Sequence, residues 1–224
     1  MTTAIIVAAG KSVRMGSGTD KAFLSLGNKP VVAWSLLAFE RTAEIDRIIL
    51  VVRKDQQLAA KAVARMFGIS KLQAIVTGGN RRQDSVAAAL AKLDVDTRTV
   101  VIHDGARPCV RSETIAEVVK AARRGVSVAV GHRITDTVKR VEKGTTVAET
   151  VDRERLWAVQ TPQAFPVARI TAAYRALAES GAEVSDDSAA VERLGESVRI
   201  LENLAPNFKL TTVEDLQIAS ALLK

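Results

Sequence analysis

The side chains of this sequence that are best suited to chemistry are basic and acidic residues that follow short apolar runs. A loop of small residues at 8–10 follows the first run, and Arg14 and Lys21 come shortly after it. Small residues let backbone approach a nucleotide closely, and the two cations could bind a polyphosphate, Lys as a point charge and Arg as a bidentate fork. The loop has neither the Walker spacing nor a Gly-x-Gly-x-x-Gly pattern, so an ordinary turn with two solvated cations is the competing interpretation.

A second turn, at 78–85, leads directly into a predicted helix whose first N–H groups are free donors. Asn80 can both donate and accept hydrogen bonds, which suits recognition of a base edge. Ser85 could bond a base carbonyl or the backbone of its own turn, and the sequence favours neither. The turn is therefore a candidate base-binding element.

A carboxylate, Asp104, ends the apolar run 99–103. Mg²⁺ usually takes one or two carboxylates together with phosphate oxygens, and Asp104 could be one of them. The alternative is that Asp104 caps the turn at Gly105. Next to these residues, His103 is predicted to be a buried strand residue and Cys109 a small apolar filler, because neither has a catalytic partner in the sequence.

Lys209 lies just before a predicted helix start, where anions bind readily. Thr211 and Glu214 have the spacing of a capping box, which predicts that start. The acidic segment 185–187 is predicted to cap the helix that precedes it rather than to hold a metal.

Short β-branched runs alternate with longer segments of helical period, which predicts an α/β fold with a mostly parallel, Rossmann-like sheet flanked by helices. Apolar stripes at 86–93 and 115–122 indicate two of these helices. Ser112 is expected to cap the second helix, and Gly125 to take the left-handed turn after it. The predicted strands are 4–8, 47–52, 73–77, 99–103, 126–131 and 198–202.

The segment at about 133–155 interrupts this alternation. The runs 134–141 and 145–151 are predicted to pair around a turn at 142–144, so a β-hairpin should protrude as an arm. Such a hairpin is marginal alone and needs another surface, for which a second subunit is the obvious candidate. Because there is no repeat or linker, one domain spanning 1–224 with this dimerisation arm is expected.

The composition excludes several classes of protein. Of the 224 residues, 47% are hydrophobic, which supports a sizeable core, and no apolar stretch is long enough to span a bilayer. The single cysteine fits a reducing compartment, so a cytoplasmic location is expected. The net charge of +7 could attract nucleic acid, a membrane surface or a phosphorylated small molecule, but aromatic residues make up only 4%, which argues against stacking on nucleic acid. A phosphorylated small molecule is therefore the expected ligand, without a nucleic-acid or membrane partner.

The order and spacing of these motifs resemble the 2-C-methyl-D-erythritol 4-phosphate cytidylyltransferase family over nearly the whole chain. The first block alone indicates only the nucleotidyltransferase superfamily, whereas the His-Asp-Gly-Ala-Arg-Pro and Thr-Val-Asp-Arg blocks are typical of this family. The matching blocks lie at 8–21, 78–86, 103–108, 136–140, 150–153, 161–163 and 209–211.

The resemblance implies an activity. It implies transfer of CMP from CTP to 2-C-methyl-D-erythritol 4-phosphate, giving 4-diphosphocytidyl-2-C-methyl-D-erythritol and pyrophosphate in the non-mevalonate isoprenoid pathway. It also implies Mg²⁺ as cofactor and a homodimer formed through arm exchange. The acceptor phosphate, already largely dianionic at pH 7, would attack the α-phosphorus directly.

The resemblance further implies a role for each matching residue. The catalytic residues would be Lys21, Lys209 and Arg14, with Lys21 stabilising charge on the α-phosphate. The CTP-binding residues would be Ala8, Ala9, Gly10, Gly79, Asn80, Ser85 and Gly105. The residues that bind the acceptor would be Asp104, Arg107, Thr137, Arg153 and Thr161, with Thr137 and Arg153 reaching the partner's site from the arm. Asp104 is also the expected metal ligand.

Two positions depart from the family pattern. Asp20 stands where the family usually has Pro, and Asn80 where it often has Asp. Asn80 adds a donor at the base edge, and neither change removes a cation from the site. Three alternatives stay open: an enzyme for another polyol or sugar phosphate or another nucleotide, a regulatory protein that binds CTP without releasing pyrophosphate, and a basic nucleic-acid-binding module.

Overall fold

A β-sheet forms the centre of the molecule. The computed structural model describes residues 1–10 and 21–223. Among these residues the strands are β1 (Thr2–Val7), β2 (Ser25–Leu26), β3 (Lys29–Pro30), β4 (Arg47–Val52), β5 (Leu72–Thr77), β6 (Thr99–Asp104), β7 (Ser127–Arg133), β8 (Val138–Lys143), β9 (Thr146–Val151), β10 (Trp157–Pro166) and β11 (Val198–Glu202). Seven of them form one sheet in the order β11-β7-β10-β6-β1-β4-β5, in which β10 alone runs antiparallel to its neighbours. The predicted mostly parallel α/β sheet is confirmed.

Helices cover both faces of this sheet. The helices on the two faces are α1 (Val31–Arg41), α2 (Gln57–Met66), α3 (Arg82–Leu90), α4 (Ser112–Arg123), α5 (Val167–Ser180) and α6 (Asp187–Glu192), whereas α7 (Val213–Leu222) packs beside β2. Phe39 and Ile115 are fully buried where α1, α2 and α4 pack on one face, and Val86 and Ile170 where α3, α5 and α6 pack on the other. Because both faces are covered, the central strands are continuous apolar runs such as 48–52.

None of the helices in the described ranges combines the length and the apolarity that crossing a bilayer requires.

The six strands expected from the sequence are all present, with ends that differ by at most two residues. The sequence does not predict β10, because polar residues at 160–163 hide its β pattern. These side chains are buried with partners: Thr161 Oγ1 lies 3.1 Å from His103 Nδ1, and Gln163 Nε2 donates to Asp186 Oδ2 at 2.6 Å. Buried polar groups are tolerated when they are hydrogen-bonded, so tertiary partners create a strand that local pattern does not show.

The predicted cap of α4 is wrong by one residue. Arg111 is the N-cap, and Ser112 is the first helical residue, whose hydroxyl donates to Ala38 O at 3.1 Å. The Ser112 hydroxyl does not cap α4 because it is hydrogen-bonded to Ala38 on the neighbouring helix α1. The left-handed turn predicted for Gly125 is confirmed by its φ of 84°.

The start of α7 is also displaced by one residue. Thr212, not Thr211, is the N-cap, and its side chain accepts from Asp215 N at 3.3 Å. Asp215 in turn accepts from the Thr212 N–H at 2.8 Å, so the reciprocal partner is Asp215 rather than Glu214. The predicted capping box is therefore present, but it starts one residue later than predicted.

The acidic segment 185–187 caps the helix that follows it, contrary to the prediction. Helix α5 already ends at Gly181, whose φ is 65°. Asp186 then accepts from Ala189 N at 3.0 Å at the start of α6. Asp187 is fully buried and pairs with Arg82. Asp186 therefore caps α6, and Asp187 forms a buried ion pair.

The protruding hairpin is present as β8 and β9. The two strands pair antiparallel across a turn at Gly144, and most of their side chains are exposed. Arg140 and Glu149 form a cross-strand ion pair at 2.8 Å. The first strand begins at Val138 rather than at residue 134. Nothing within the described chain covers this arm, so its role in dimerisation stays a prediction.

The central strands bring three loops together at one edge of the sheet. The chain runs from β1 through β4 to β5, and then crosses to β6 on the other side of β1. Open α/β sheets bind ligands at such a switch point, outside the carboxyl ends of the strands. Backbone hydrogen bonds hold the loops there: Gly78 N donates to Val52 O at 2.8 Å, and Gly105 N to Val7 O at 2.9 Å.

Gly78 marks the closest approach between these loops. A Cβ at this position would lie 2.4 Å from Ala9 Cβ and 2.7 Å from Ser85 Oγ. We predict that Gly78→Ala lowers the free energy of unfolding in urea by about 1–3 kcal/mol, because the loops must separate. Gly10→Ala is the control, since its Cβ would meet nothing within 4 Å among the described residues. Equal stability losses in the two variants would contradict this packing.

His103 is fully buried in β6, and its hydrogen bonds fix its tautomer. Nε2 lies 3.2 Å from Arg107 O, a pure acceptor, so Nε2 carries the proton. Nδ1 therefore accepts from Thr161 Oγ1. The ring packs against Phe39 with centroids 5.1 Å apart. Burial lowers the pKa of His103 to about 3, which keeps the ring neutral, as expected for a core residue.

This burial predicts an acid-dependent loss of stability. The unfolded chain binds a proton at His103 below pH of about 6.5, whereas the folded chain does so only near its lowered pKa. The free energy of unfolding should therefore fall by about 2 kcal/mol from this residue between pH 7 and pH 5. Urea titrations at both pH values should show this fall in the wild type and lack it in His103→Gln. The same fall in both proteins would show that His103 is not its source.

Candidate active site

A cavity of about 520 Å³ opens where β1, β5 and β6 end. Its volume is in the range of small-molecule sites. The predicted catalytic residues Lys21 and Lys209 both line it. So do most of the residues predicted to bind CTP, namely Ala8, Ala9, Gly10, Gly79, Asn80 and Ser85.

A second cavity, of about 270 Å³, adjoins the first. Three residues predicted to bind the acceptor, Asp104, Arg107 and Thr161, line it. Arg82, Asp104 and Lys209 line both cavities, and we call these three residues the junction. Two ligands bound in the two cavities would therefore meet at the junction.

Asp104 is the centre of the junction. Its Oδ1 accepts from Arg82 Nε at 2.9 Å, and its Oδ2 accepts from Lys209 Nζ at 2.8 Å, with Arg107 Nε 3.9 Å away. The Asp104 side chain is only 9% exposed. Burial alone would raise its pKa, but the charges of Arg82 and Lys209 hold the pKa of Asp104 well below its ordinary value. The junction is therefore a fixed carboxylate surrounded by cations.

Backbone and hydroxyl groups hold Asp104 in place. The Asp104 N–H donates to Thr161 Oγ1 at 3.0 Å, and the same hydroxyl donates to the neutral His103 ring. Lys209 is held by its neighbour Leu210, a fully buried residue whose N–H donates to Ala106 O at 2.8 Å. Asp104 and Lys209 thus come from separate parts of the chain, and hydrogen bonds from their backbone or from a neighbouring residue hold each of them in place.

Arg107 brings an incompletely bonded guanidinium to the second cavity. Its NH1 donates to Asn207 O at 2.8 Å. Its buried Nε has no hydrogen-bond partner among residues 1–10 and 21–223. Burial lowers the pKa of Arg107, against the effect of Asp104. A buried donor without a partner is costly, and the nearby Asp104 Oδ2, at 3.9 Å, is beyond hydrogen-bond distance.

The surroundings of Asp104 do not fit a directly bound magnesium ion. Each carboxylate oxygen already accepts from a cation, and a metal ion there would be repelled by Arg82, Lys209 and Arg107. No cluster of three or more His, Cys, Asp or Glu side chains suited to a metal occurs in the described ranges. This geometry argues against the prediction that Asp104 ligates Mg²⁺.

Ser85 bonds the backbone of the turn at 78–81, which is one of the two roles expected for it. Ser85 Oγ accepts from Gly79 N at 3.1 Å and donates to Arg81 O at 3.3 Å. The hydroxyl therefore supports the turn while it lines the cavity. Asn80 is exposed at the cavity wall. A role for either residue in base recognition stays a prediction.

Three predicted residues line neither cavity, and a fourth is not among the described residues. Gly105 lines neither of the two cavities and is buried beneath them, where a Cβ would lie 3.2 Å from Ala8 Cβ. Thr137 and Arg153 are exposed on the arm, and Arg153 NH1 donates to Thr135 O. Arg14 lies outside the described residues.

Arg82 is a functional residue that the sequence does not single out, because nothing in the local pattern distinguishes it from Arg81. Arg81 turns outward to Asp84 and Glu183, with N–O distances of 2.8 and 3.0 Å. Arg82 turns inward to Asp104 and the fully buried Asp187, at 2.9 and 2.7 Å. A buried carboxylate far along the chain distinguishes the two arginines, and only the fold reveals it.

Further polar residues line the cavities without having been predicted. Arg53 and Lys54, which follow β4, line the larger cavity, and Gln160 lines the smaller one. The position of Arg53 and Lys54 after a strand end was the available signal for these two residues, since this is the edge of the sheet where ligands bind. Gln160 lies inside β10 and had no such signal.

Comparison with known proteins gives a consistent result. The family model of 2-C-methyl-D-erythritol 4-phosphate cytidylyltransferase (IspD) matches residues 2–224. Relatives of that name from Geobacillus kaustophilus and Dehalococcoides mccartyi are 42% identical over 220 residues and 43% identical over 221 residues. The alignments cover 98% and 99% of this chain, and 96% and 95% of the relatives.

Solved structures agree. A crystal structure of 4-diphosphocytidyl-2C-methyl-D-erythritol synthase from Anaerococcus prevotii has a TM-score of 0.86 and 32% identity, and covers 99% of this chain and 95% of its own. One of 2-C-methyl-D-erythritol 4-phosphate cytidylyltransferase from Thermus thermophilus has a TM-score of 0.81 and 29% identity, with 97% and 96% covered. With the family model and these relatives, they show that the chain belongs to the 2-C-methyl-D-erythritol 4-phosphate cytidylyltransferase family.

Proposed function

We propose that this chain transfers the CMP group of CTP to 2-C-methyl-D-erythritol 4-phosphate. The products are 4-diphosphocytidyl-2-C-methyl-D-erythritol, an intermediate of the non-mevalonate isoprenoid pathway, and pyrophosphate. The observation that carries the proposal is the junction, where two adjoining cavities share Arg82, Asp104 and Lys209. The names of the relatives agree with this activity.

CTP is proposed to occupy the larger cavity. The cytosine would lie against the turn that contains Gly79, Asn80 and Ser85, and the triphosphate would lie along the small-residue loop at 8–10. Lys21 and Lys209 line the same cavity and supply positive charge for the phosphates. Arg14 is proposed to join them. The sheet edge and the larger volume both support this assignment.

The acceptor is proposed to occupy the smaller cavity. Arg107 would present its guanidinium there, and Asp104 and Thr161 would contact the polyol or its phosphate. Arg82, Arg107 and Lys209 carry three positive charges against the two carboxylates of Asp104 and Asp187, so the net charge here is positive and favours an anion. A phosphate monoester satisfies this requirement.

The proposed chemistry is a direct displacement. The second pKa of a phosphate monoester is near 6, so the acceptor phosphate is mostly dianionic at pH 7 and needs no general base. Its oxygen bonds to the α-phosphorus of CTP while the bond from that phosphorus to the pyrophosphate oxygen breaks. Lys21 and Lys209 would stabilise the charge that accumulates in between, and the two cavities would align the reactants.

Mg²⁺ is proposed to arrive on the phosphate oxygens of CTP, where it neutralises charge. Mg²⁺ commonly binds through substrate phosphates and retains several waters. Because Asp104 is occupied by cations, the proposal assigns it no metal.

The arm is proposed to complete the site of a second subunit. Thr137 and Arg153 are exposed on a hairpin that has little apolar burial of its own. We propose a homodimer in which each arm delivers these two residues to the partner's acceptor cavity. The reaction would take place in the cytoplasm, in agreement with the single free thiol of Cys109.

The activity is tested by measuring pyrophosphate release with four nucleoside triphosphates and several polyol phosphates. Release should require CTP together with 2-C-methyl-D-erythritol 4-phosphate. Lys209→Ala and Lys21→Ala should each lower kcat by at least about 10²-fold, because each removes transition-state stabilisation. Lys54→Ala is the control for a cavity lysine without an assigned role. Faster release with another pair, or normal turnover in both variants, would refute the assignment.

Arm exchange is tested by mixing two inactive variants. In a mixed dimer of Lys209→Ala and Arg153→Ala, one site carries both lesions and the other carries neither. Random reassociation at equal amounts should therefore restore about a quarter of wild-type activity. If Arg153 serves the site of its own subunit, each site in the mixed dimer carries one lesion, and mixing restores nothing. Size-exclusion chromatography with light scattering checks the dimer directly.

A further inference from the structure

Asp187 is a fully buried carboxylate at the start of α6, and it does not line either cavity. Its Oδ2 accepts from Arg82 NH2 at 2.7 Å, and its Oδ1 accepts from the Tyr174 hydroxyl at 2.6 Å. Burial and the neighbouring Asp187 raise the pKa of Tyr174 above its ordinary value, so Tyr174 stays a donor. A buried charge is expensive unless it is paired, so this pair is held firmly in the fold.

Arg82 links this buried pair to the junction. Its guanidinium uses NH2 for Asp187 and Nε for Asp104, so one planar group spans two carboxylates. Burial opposes the charge of Arg82, but Asp187 and Asp104 raise its pKa well above the ordinary value. The planar fork fixes direction as well as distance, which a lysine ammonium would not do.

The position of Asp104 depends on this link. Arg82 approaches one oxygen of Asp104 and Lys209 approaches the other. If Arg82 moved, the carboxylate could turn, and Lys209 would lose a fixed partner at the point where the reactants meet. A displacement of about 1 Å at such a point can reduce a rate by about 10²-fold.

We propose that Asp187 is a positioning residue that holds the Arg82 guanidinium against Asp104 and thereby fixes Lys209 at the junction. This inference rests on the proposed function for its kinetic consequence. Asp187 touches neither reactant, because it lies behind Arg82, outside both cavities.

The main test is Asp187→Asn, which keeps the shape of the side chain and removes its charge. We expect kcat to fall by about tenfold to hundredfold. The affinity for CTP, measured by calorimetry, should stay within about threefold with full stoichiometry, because the contacts proposed for the base and the triphosphate include neither Asp187 nor Arg82. Tyr174→Phe is the matched control: it removes the other hydrogen bond to Asp187, leaves the ion pair, and should keep kcat within about threefold. A folded Asp187→Asn with wild-type kcat would overturn the proposal.

A double-mutant cycle separates positioning from general stability. If Asp187 acts through Arg82, Asp187→Asn should lower kcat/KM by less than about twofold in an Arg82→Gln background. An equal loss in both backgrounds would show that Asp187 acts independently of Arg82. Should Asp187→Asn fail to fold, Asp187→Glu moves the charge by one methylene and should also lower kcat; wild-type turnover would then overturn the proposal.

A crystal structure of Asp187→Asn gives a readout that requires no activity. The Arg82 guanidinium should have left hydrogen-bond distance of Asp104, and its retention there would refute the positioning role. If the wild type released no pyrophosphate from CTP and 2-C-methyl-D-erythritol 4-phosphate, the proposed function would fail, but this structural readout would still decide the role of Asp187.

Discussion

The electrostatic constraint on which this site depends is the approach of two anions. A triphosphate and a phosphate monoester repel each other strongly in a site of low dielectric constant, and reaction requires that fixed positive charge offset this repulsion. Arg82 and Lys209 of the junction lie around Asp104, and Arg107 lies next to them. Asp104 pairs with Arg82 and Lys209 at once and so keeps these two cations close to each other.

The fold serves this constraint by fixing the junction from several directions. Asp104 ends a fully buried strand, and its amide is tied to Thr161 on the neighbouring antiparallel strand. The neutral His103 ring holds Thr161 and the carbonyl of Arg107 at once. Because the ring stays uncharged, it orients these groups without adding a further cation to the core.

The sequence predicted much of the fold because the parallel strands are continuous apolar runs with a clear period. It did not predict β10, whose polar centre is buried only because His103 and Asp186 supply hydrogen-bond partners. Two helix caps also lie one residue away from their predicted positions: Ser112 bonds Ala38 instead of capping α4, and at α7 the adjacent residues Thr211 and Thr212 offer the same hydroxyl. The Asp215 carboxylate accepts from the N–H groups of both residues, and Thr212 is the cap because its hydroxyl accepts from the Asp215 N–H.

The candidate site likewise contains residues that could be located from the sequence and residues that could not. Glycine turns and cations after strand ends could be located from sequence, since parallel strands bring their carboxyl ends to one edge. Arg82 could not, because its identity as the inward arginine depends on Asp187, which is 105 residues distant along the chain. The ion pairs of Asp104 with Arg82 and Lys209, which argue against a directly bound metal, could not be located from the sequence either.

The most direct measurement of the central claim is a crystal structure with CTP and Mg²⁺ bound. The account predicts that the α-phosphorus lies beside Lys209 at the junction, with the cytosine against Asn80 and the metal ion on the triphosphate oxygens alone. A triphosphate bound away from Arg82, Asp104 and Lys209, or a metal ion ligated by Asp104, would contradict it.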